Sequence, residues 1–216
     1  MIQAYLDRLP LIAILRGVEP DEVVGIGETL VSAGFAIIEI PLNSPTPYDS
    51  IRRLEDAFGA TTLIGAGTVM SADDVGRVVD AGGRLIVMPH SDPTVIRAAR
   101  ERGLACVPGV VTPTEGFAAL ANGADGLKLF PAELVSPAAV RAMRSVFPAD
   151  TRLFPVGGIS PDNMQEYVRS GASGFGLGSA LYKRGNDANI VAANAAAFVA
   201  SWRRLARDAA PAVRPA

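Results

Sequence analysis

Short apolar runs recur along this chain at intervals of 20 to 26 residues, with helical patterns between them. The runs begin near Leu11, Ile37, Thr62, Leu85, Ala105, Gly126, Arg152 and Gly174. Short runs that are apolar on both faces are typical of strands buried in a parallel sheet. Eight such strands, alternating with helices and without a break in composition, predict an α/β protein with a (β/α)8 TIM barrel.

The helix signals support one continuous domain. Residues 1–9 predict a leading helix; Pro20 with Asp21 and Glu22 predicts the start of the next helix, and Gly34 its end. Further starts are predicted at Thr46-Pro47, Ser71, Asp92-Pro93, Thr112-Pro113, Ser136-Pro137 and Ser160-Pro161. We therefore expect a single barrel domain over residues 1–208, followed by a frayed Ala/Pro-rich tail over residues 209–216.

A doubly wound sheet is the alternative architecture. It would need a glycine-rich phosphate loop after the first strand. The sequence there, Arg16 to Glu19, is Arg-Gly-Val-Glu and does not fit that loop.

Composition excludes several classes of function. No apolar run approaches the ~20 residues of a membrane span, and the N-terminus lacks the apolar segment of a signal peptide. The net charge of −2 argues against nucleic-acid binding, and one histidine with one cysteine makes a zinc site improbable. The single Cys106 fits a reducing compartment, so we expect a cytoplasmic protein. We also expect neither a metal nor a cofactor.

Lys128 stands inside a short apolar run that ends at Pro131. Burial lowers the pKa of a lysine and makes the nucleophilic free amine available near neutral pH. Among 20 lysines and arginines, only Lys128 and Lys183 are lysines, so arginine is the chain's usual cation. Schiff-base formation is chemistry that arginine cannot perform. A salt-bridged lysine at a strand end is the competing interpretation.

Other polar residues also fall at or just beyond the predicted strand ends, where barrel enzymes hold their active sites. They are Arg16, Glu39, Asn43, Thr68, His90, Thr112 and Ser179. Glu39 lies in an otherwise apolar strand and is a candidate general acid or base, or a structural partner of Arg16 or Lys128. Arg16 and Thr68 are candidate ligands of a substrate anion. His90 is interpreted as a surface residue, and Cys106 as buried and inert.

Two glycine turns follow the seventh and eighth strands, at Gly157-Gly158 and at Gly178-Ser179. Loops at these positions, with a short helix N-terminus, form the usual phosphate site of the barrel fold. Simple tight turns are the alternative. A dinucleotide fingerprint is rejected because the rest of that motif is missing.

Five segments together resemble the Schiff-base aldolases of 2-keto-3-deoxy-6-phospho sugar acids. They are Leu11 to Gly17, Ile38 to Pro45, Gly65 to Val69, Leu127 to Pro131 and Val156 to Gly158, and the resemblance extends from about Leu9 to Gly185. It implies that Lys128 forms the Schiff base and that Glu39 transfers protons. It also implies that Arg16, Thr68, Gly157, Gly158, Gly178 and Ser179 contact the substrate, and that the protein is a homotrimer.

The family has two branches, whose substrates differ in configuration at C4. The phosphogluconate branch usually has Thr-Leu-Arg after the glutamate and Thr or Ser before the glycine pair. Here Pro41-Leu42-Asn43 follows Glu39, and Val156 precedes the pair, which resembles the 2-dehydro-3-deoxy-6-phosphogalactonate branch. Pro89-His90 departs from the Pro-Asn of that branch, which leaves the contact there undefined.

The resemblance implies a metal-independent retro-aldol reaction that releases pyruvate and glyceraldehyde 3-phosphate. The same reaction on the gluconate epimer is the first alternative. A non-catalytic barrel that binds sugar phosphates is the second, and a phosphate-binding isomerase or synthase is the third.

Overall fold

The computed structural model describes residues 1–209, in which strands and helices alternate along the chain. The strands are β1 (Leu11–Ile14), β2 (Ile37–Pro41), β3 (Leu63–Gly67), β4 (Leu85–Val87), β5 (Ala105–Val107), β6 (Gly109–Val110), β7 (Leu127–Leu129), β8 (Leu153–Pro155) and β9 (Phe175–Leu177). The helices are α1 (Gln3–Leu6), α2 (Val23–Ala33), α3 (Pro47–Phe58), α4 (Ala72–Asp80), α5 (Pro93–Glu101), α6 (Pro113–Ala121), α7 (Pro137–Arg144), α8 (Met164–Arg169) and α9 (Ala188–Ala209).

The strands form two parallel sheets. The larger has the order β5-β4-β3-β2-β1-β9, and the smaller has the order β6-β7-β8. Only Pro108 separates β5 from β6, and a parallel bridge between Val156 and Gly176 connects the ends of β8 and β9. The fold is therefore an α/β fold with parallel strands, and the two sheets approach each other at two places.

Alternation of side chains along the strands divides the core into two layers. Strand residues such as Ile38, Ile64 and Leu127 belong to a large cluster that packs against the helices. Their neighbours point the other way into a second cluster, which includes Ile12, Ile37 and Phe154. This inner cluster draws on both sheets, and it includes Leu6 of α1 and Ile2, the residue before that helix. The leading helix thus covers the inner face of the strands.

Most predicted element boundaries are confirmed. Gly34 ends α2 in the left-handed conformation at φ 106°, and Ser71, Asp92, Thr112 and Ser136 each accept a backbone N–H at a helix start. The first helix is shorter than predicted, covering Gln3–Leu6 of residues 1–9.

Two predicted helix starts were wrong, and one predicted strand is divided in two. α2 begins at Val23 and not at Pro20, because Glu22 and Val23 first form a turn onto the carbonyl of Glu19. α8 begins at Met164, since Ser160 and Asn163 close a separate turn before it. The fifth strand is split, because Pro108 has no N–H to donate to a ladder.

The predicted tail lies outside the described residues except for Ala209, which is the last residue of α9. Within residues 1–209, no helix combines the length and apolarity needed to cross a membrane.

Glycine at one strand position is needed for close strand packing, which a pair of variants can test. A Cβ on Gly65 would stand 2.0 Å from the carbonyl oxygen of Leu85, whereas a Cβ on Gly76 of α4 would meet nothing within 4 Å. We expect Gly65→Ala to lower the free energy of unfolding by about 1–3 kcal/mol through overpacking. Gly76→Ala should raise it by roughly 0.5–1 kcal/mol, because alanine favours a helix interior. Urea denaturation of both variants measures this, and a neutral Gly65→Ala would contradict the packing argument.

Candidate active site

Glu39 and Lys128 lie on the inner face of the strands, on different sheets. Glu39 is two residues after Ile37 in β2, and Lys128 pairs with Phe154 across β7 and β8. Ile37 and Phe154 both belong to the inner cluster, so the alternation of side chains directs Glu39 and Lys128 to the same interior. Both are almost fully buried, with 1% and 4% of their surface exposed.

Burial makes the Glu39 carboxyl hard to ionise. Removal from water raises its pKa from 4.5 to about 7, although the positive charges of Lys128 and Arg16 oppose that shift. Its Oε2 has no hydrogen-bond partner among the described residues. The carboxyl occupies space that a side chain at position 67 would fill, because a Cβ on Gly67 would stand 2.0 Å from Oε2. Glu39 is therefore a buried acid that can hold or release a proton near neutral pH.

Burial and neighbouring charges also shift the pKa of Lys128. Burial lowers the pKa of its amine, the Glu39 charge opposes this and the Arg16 charge reinforces it. The Nζ atom lies 4.4 Å from the centre of the Phe130 ring, where a cation–π contact accommodates the protonated form. Within residues 1–209 no carboxylate lies within 4 Å of Nζ, so Lys128 and Glu39 interact without a direct ion pair. The geometry therefore does not support the interpretation of Lys128 as a salt-bridged lysine.

Arg16, Asn43 and Thr68 form a polar cluster beside this pair. Arg16 follows β1 and donates from Nη1 to Asn43 Oδ1 at 2.5 Å and from Nη2 to Thr68 Oγ1 at 3.3 Å. Thr68 has a left-handed backbone at φ 56°, which is uncommon for a threonine and frequent in functional sites. Three predicted residues from the ends of neighbouring strands are thus joined around one guanidinium.

A cavity of about 540 Å³ opens at the same ends of the strands. Seven of the residues singled out in the sequence line it: Arg16, Lys128, Val156, Gly157, Gly158, Gly178 and Ser179. Glu39, Asn43 and Thr68 are not among its lining residues. Asn43 and Thr68 accept hydrogen bonds from Arg16, and the charge of Glu39 raises the pKa of Lys128, so all three lie beside residues that line the cavity. The volume lies within the range typical of small-molecule sites.

The two glycine turns lie together at one side of this cavity. Gly157 and Gly158 both have positive φ, at 108° and 61°. Gly178 accepts hydrogen bonds from the backbone N–H groups of Leu181 and Tyr182, so this segment is a turn and not the expected short helix. Backbone N–H groups in such turns suit an anion.

Several lining residues were missed by sequence reasoning: Ile14, Phe130, Glu133, Ile159, Tyr182, Lys183 and Arg184. Most come from loops beyond the strand ends, whose paths a strand count does not predict. Glu133 lies against the first glycine turn, since a Cβ on Gly157 would stand 2.3 Å from its Oε2. One available signal was the rarity of lysine, because both lysines of the chain line this cavity.

The remaining candidates have other positions. Thr112 caps α6, where its hydroxyl accepts the N–H of Glu115 in a capping box. His90 is partly exposed and does not line the cavity. Cys106 is fully buried, and burial raises the pKa of its thiol to about 12, which leaves it an unreactive thiol. Within residues 1–209, no three His, Cys, Asp or Glu side chains cluster as metal ligands.

Several known proteins that resemble this chain in sequence over most of its length are aldolases. The chain is 48% identical over 193 residues to a probable 2-dehydro-3-deoxy-6-phosphogalactonate aldolase of Rhizobium meliloti, covering 89% of this chain and 91% of the relative. It is 44% identical over 196 residues to the 2-dehydro-3-deoxy-6-phosphogalactonate aldolase of Escherichia coli, covering 91% and 96%. A solved structure described as native KDPGal superposes with a TM-score of 0.91 at 43% identity, covering 93% of this chain and 97% of that one.

The family model for KDPG and KHG aldolases matches residues 2–195, which include every residue of the site described above. With that match and these relatives, the chain belongs to the KDPG and KHG aldolase family, a family of carbon–carbon lyases.

Proposed function

We propose that this protein is a class I aldolase that cleaves 2-dehydro-3-deoxy-6-phosphogalactonate to pyruvate and glyceraldehyde 3-phosphate through a Schiff base on Lys128. The observation that carries the proposal is the buried pair of Lys128 and Glu39, in which burial moves both pKa values toward neutrality. An amine with a lowered pKa is a nucleophile, and an acid with a pKa of about 7 exchanges protons in both directions at physiological pH.

The first half of the reaction forms the imine. The Lys128 amine attacks the C2 ketone of the substrate and gives a carbinolamine. Glu39 in its protonated form donates to the departing oxygen, which leaves as water, and a protonated imine remains. This imine is the electron sink that a metal ion provides in metal-dependent aldolases.

The second half breaks the carbon–carbon bond. The C4 hydroxyl loses its proton to the Glu39 carboxylate, the C3–C4 electron pair moves toward the imine, and glyceraldehyde 3-phosphate departs. The enamine then takes a proton at C3, and water hydrolyses the resulting imine to release pyruvate and the free Lys128 amine. The Glu39 carboxyl, alternating between its protonated and ionised forms, performs the proton transfers of this reaction.

The two ends of the substrate have distinct partners in this proposal. Arg16, with Thr68 and Asn43 beside it, binds the carboxylate next to the reacting ketone, where a guanidinium offers two parallel donors. The Gly157-Gly158 and Gly178-Ser179 turns bind the phosphate with backbone N–H groups. The cavity that connects these groups supports this assignment.

The galactonate epimer is favoured by the side chains near C4. Val156 lines the cavity, is 7% exposed and has a side chain that neither donates nor accepts a hydrogen bond. Asn43 is held by Arg16. The phosphogluconate aldolases usually place a hydroxyl where Val156 lies. A hydroxyl that loses its partner in a closed site is costly, so this substitution alters which C4 configuration is accepted.

We further propose that the two sheets form one closed eight-stranded barrel over residues 1–208. Support comes from the single residue between β5 and β6, from the Val156–Gly176 bridge and from the inner cluster shared by both sheets. A homotrimeric assembly and a cytoplasmic location stay predictions, of which light scattering would test the first.

Trapping the imine tests the proposed function directly. Incubation with pyruvate and sodium borohydride should reduce the Schiff base to a stable secondary amine on Lys128, because the buried amine is the nucleophile. Peptide mass spectrometry locates the adduct, and Lys183 is an internal control. No adduct, or an adduct at Lys183 alone, would rule out the mechanism and favour a barrel that only binds sugar phosphates.

Replacing Glu39 with glutamine tests proton transfer. Glu39→Gln should reduce kcat about 10²–10⁴-fold, as expected for a general acid–base group, while the protein stays folded. In the unmodified enzyme, kcat/KM should fall as pH rises through a pKa of about 7, because the free enzyme then loses the Glu39 proton that dehydration of the carbinolamine requires, and the variant should lose this titration.

Stability provides the control for this variant. The folded protein holds the Glu39 proton more tightly than the unfolded chain does, so the free energy of unfolding should fall as pH rises from 4.5 to about 7. Glu39→Gln should flatten that dependence, as measured by urea denaturation across this window. A variant that unfolds at neutral pH would instead indicate a structural ion pair.

Side-by-side kinetics with the two C4 epimers test the substrate assignment. We expect kcat/KM to favour 2-dehydro-3-deoxy-6-phosphogalactonate over its gluconate epimer, and Val156→Thr to reduce that preference by restoring a hydroxyl. Equal values for both epimers in the unmodified enzyme would contradict the assignment.

A further inference from the structure

The chain's two lysines line the same cavity at different depths. Lys128 is buried on the inner face of β7, whereas Lys183 is exposed at the rim, in the loop between β9 and α9. Every other side chain among the 20 basic residues is an arginine. Lys183 therefore places a second ammonium group at the side of the cavity formed by the glycine turns.

The other charged residues that the structure describes at this side, Arg184 and Glu133, do not offer an unpaired positive charge to a phosphate. Arg184 forms an ion pair with Glu19, and its side chain packs against Gly17. Glu133 carries a negative charge against Gly157 and Gly158, within the region where the phosphate is proposed to bind. Within the described part of the chain, Lys183 has no carboxylate within 4 Å.

Local contacts hold the backbone of Lys183 in place although its side chain is exposed. The hydroxyl of the preceding Tyr182 donates to Glu22 Oε1 at 2.7 Å, and Tyr182 is buried. The Lys183 N–H donates to Asn186 Oδ1 at 2.8 Å. The backbone of Lys183 is thus anchored, and its side chain lines the cavity.

We propose that Lys183 is a specificity-determining residue that neutralises the substrate phosphate, and that Glu133 opposes it. The inference rests on the proposed function. It states which side chains balance the charge of the substrate phosphate. Backbone N–H groups of the glycine turns orient the phosphate, but they carry only partial charges. A dianion next to the Glu133 carboxylate needs a full positive charge, and an ammonium group binds phosphate as a point charge.

Addition of pyruvate to two aldehydes isolates this effect. Glyceraldehyde 3-phosphate and glyceraldehyde differ only in the phosphate, so the ratio of their kcat/KM values reports recognition of that group. Lys183→Met should lower the ratio about ten-fold, the loss expected for one charge-assisted contact of about 1.4 kcal/mol. Lys183→Arg should restore it, and Glu133→Gln should raise it by removing a repulsive charge.

Two further measurements separate this role from general damage. Arg52→Gln removes one positive charge from an exposed position of α3 that does not line the cavity, and it should leave the ratio unchanged. Pyruvate carries no phosphate, so its C3–H exchange in deuterated water, followed by NMR, should persist in Lys183→Met. Added salt should reduce the ratio in the unmodified enzyme more than in Lys183→Met, because exposed charges are screened.

The outcomes distinguish the two proposals. An unchanged ratio in Lys183→Met, or a loss that affects both aldehydes and pyruvate exchange alike, would overturn the role of Lys183 and leave the aldolase proposal intact. Absence of pyruvate exchange in the unmodified enzyme would overturn the aldolase proposal itself.

Discussion

The site depends on holding one amine and one carboxyl group together away from water. Lys128 and Glu39 come from β7 and β2, which belong to different sheets, and each is almost fully buried. Desolvation disfavours both charges, and their mutual attraction limits both shifts in pKa. The nearby Arg16 limits the shift of Glu39 and reinforces that of Lys128. The packing of the two sheets therefore sets the chemistry of both groups, because neither strand alone would bury its charged residue beside the other.

Glycine residues of β3 leave space for the Glu39 carboxyl and for the neighbouring strand. A side chain at Gly67 would occupy the position of the Glu39 carboxyl, and one at Gly65 would collide with the backbone of β4. A glycine inside a strand normally weakens it, since it adds no packing and loses more entropy on folding. Here β3 accepts that cost at two positions, and the large apolar clusters on both sides of the strands supply the compensating burial.

In the proposed mechanism, the cavity has one end where the reaction occurs and another that binds the phosphate. Lys128 and the residues around Arg16 lie at the first, and the glycine turns, Glu133 and Lys183 lie at the second. The two lysines illustrate how position changes the same side chain. Burial lowers the pKa of Lys128 and favours its free amine, whereas exposed Lys183 keeps water around its charge. One suits a nucleophile, and the other suits an electrostatic contact.

The sequence by itself determined the succession of strands and helices, the family, and Lys128 and Glu39 as candidates, because buried strands must be apolar and a charge inside one stands out. It also located the two glycine turns, of which Gly157-Gly158 has the positive φ angles that favour glycine. Only the tertiary structure decided that Glu133, Tyr182 and Lys183 border the cavity. Apolar and polar residues do not alternate regularly along a loop, so the sequence of a loop does not predict which side chains face the cavity. The neighbours of these loop residues come from distant parts of the chain. The raised pKa of Glu39 also depends on tertiary structure, because it arises when both sheets enclose the carboxyl.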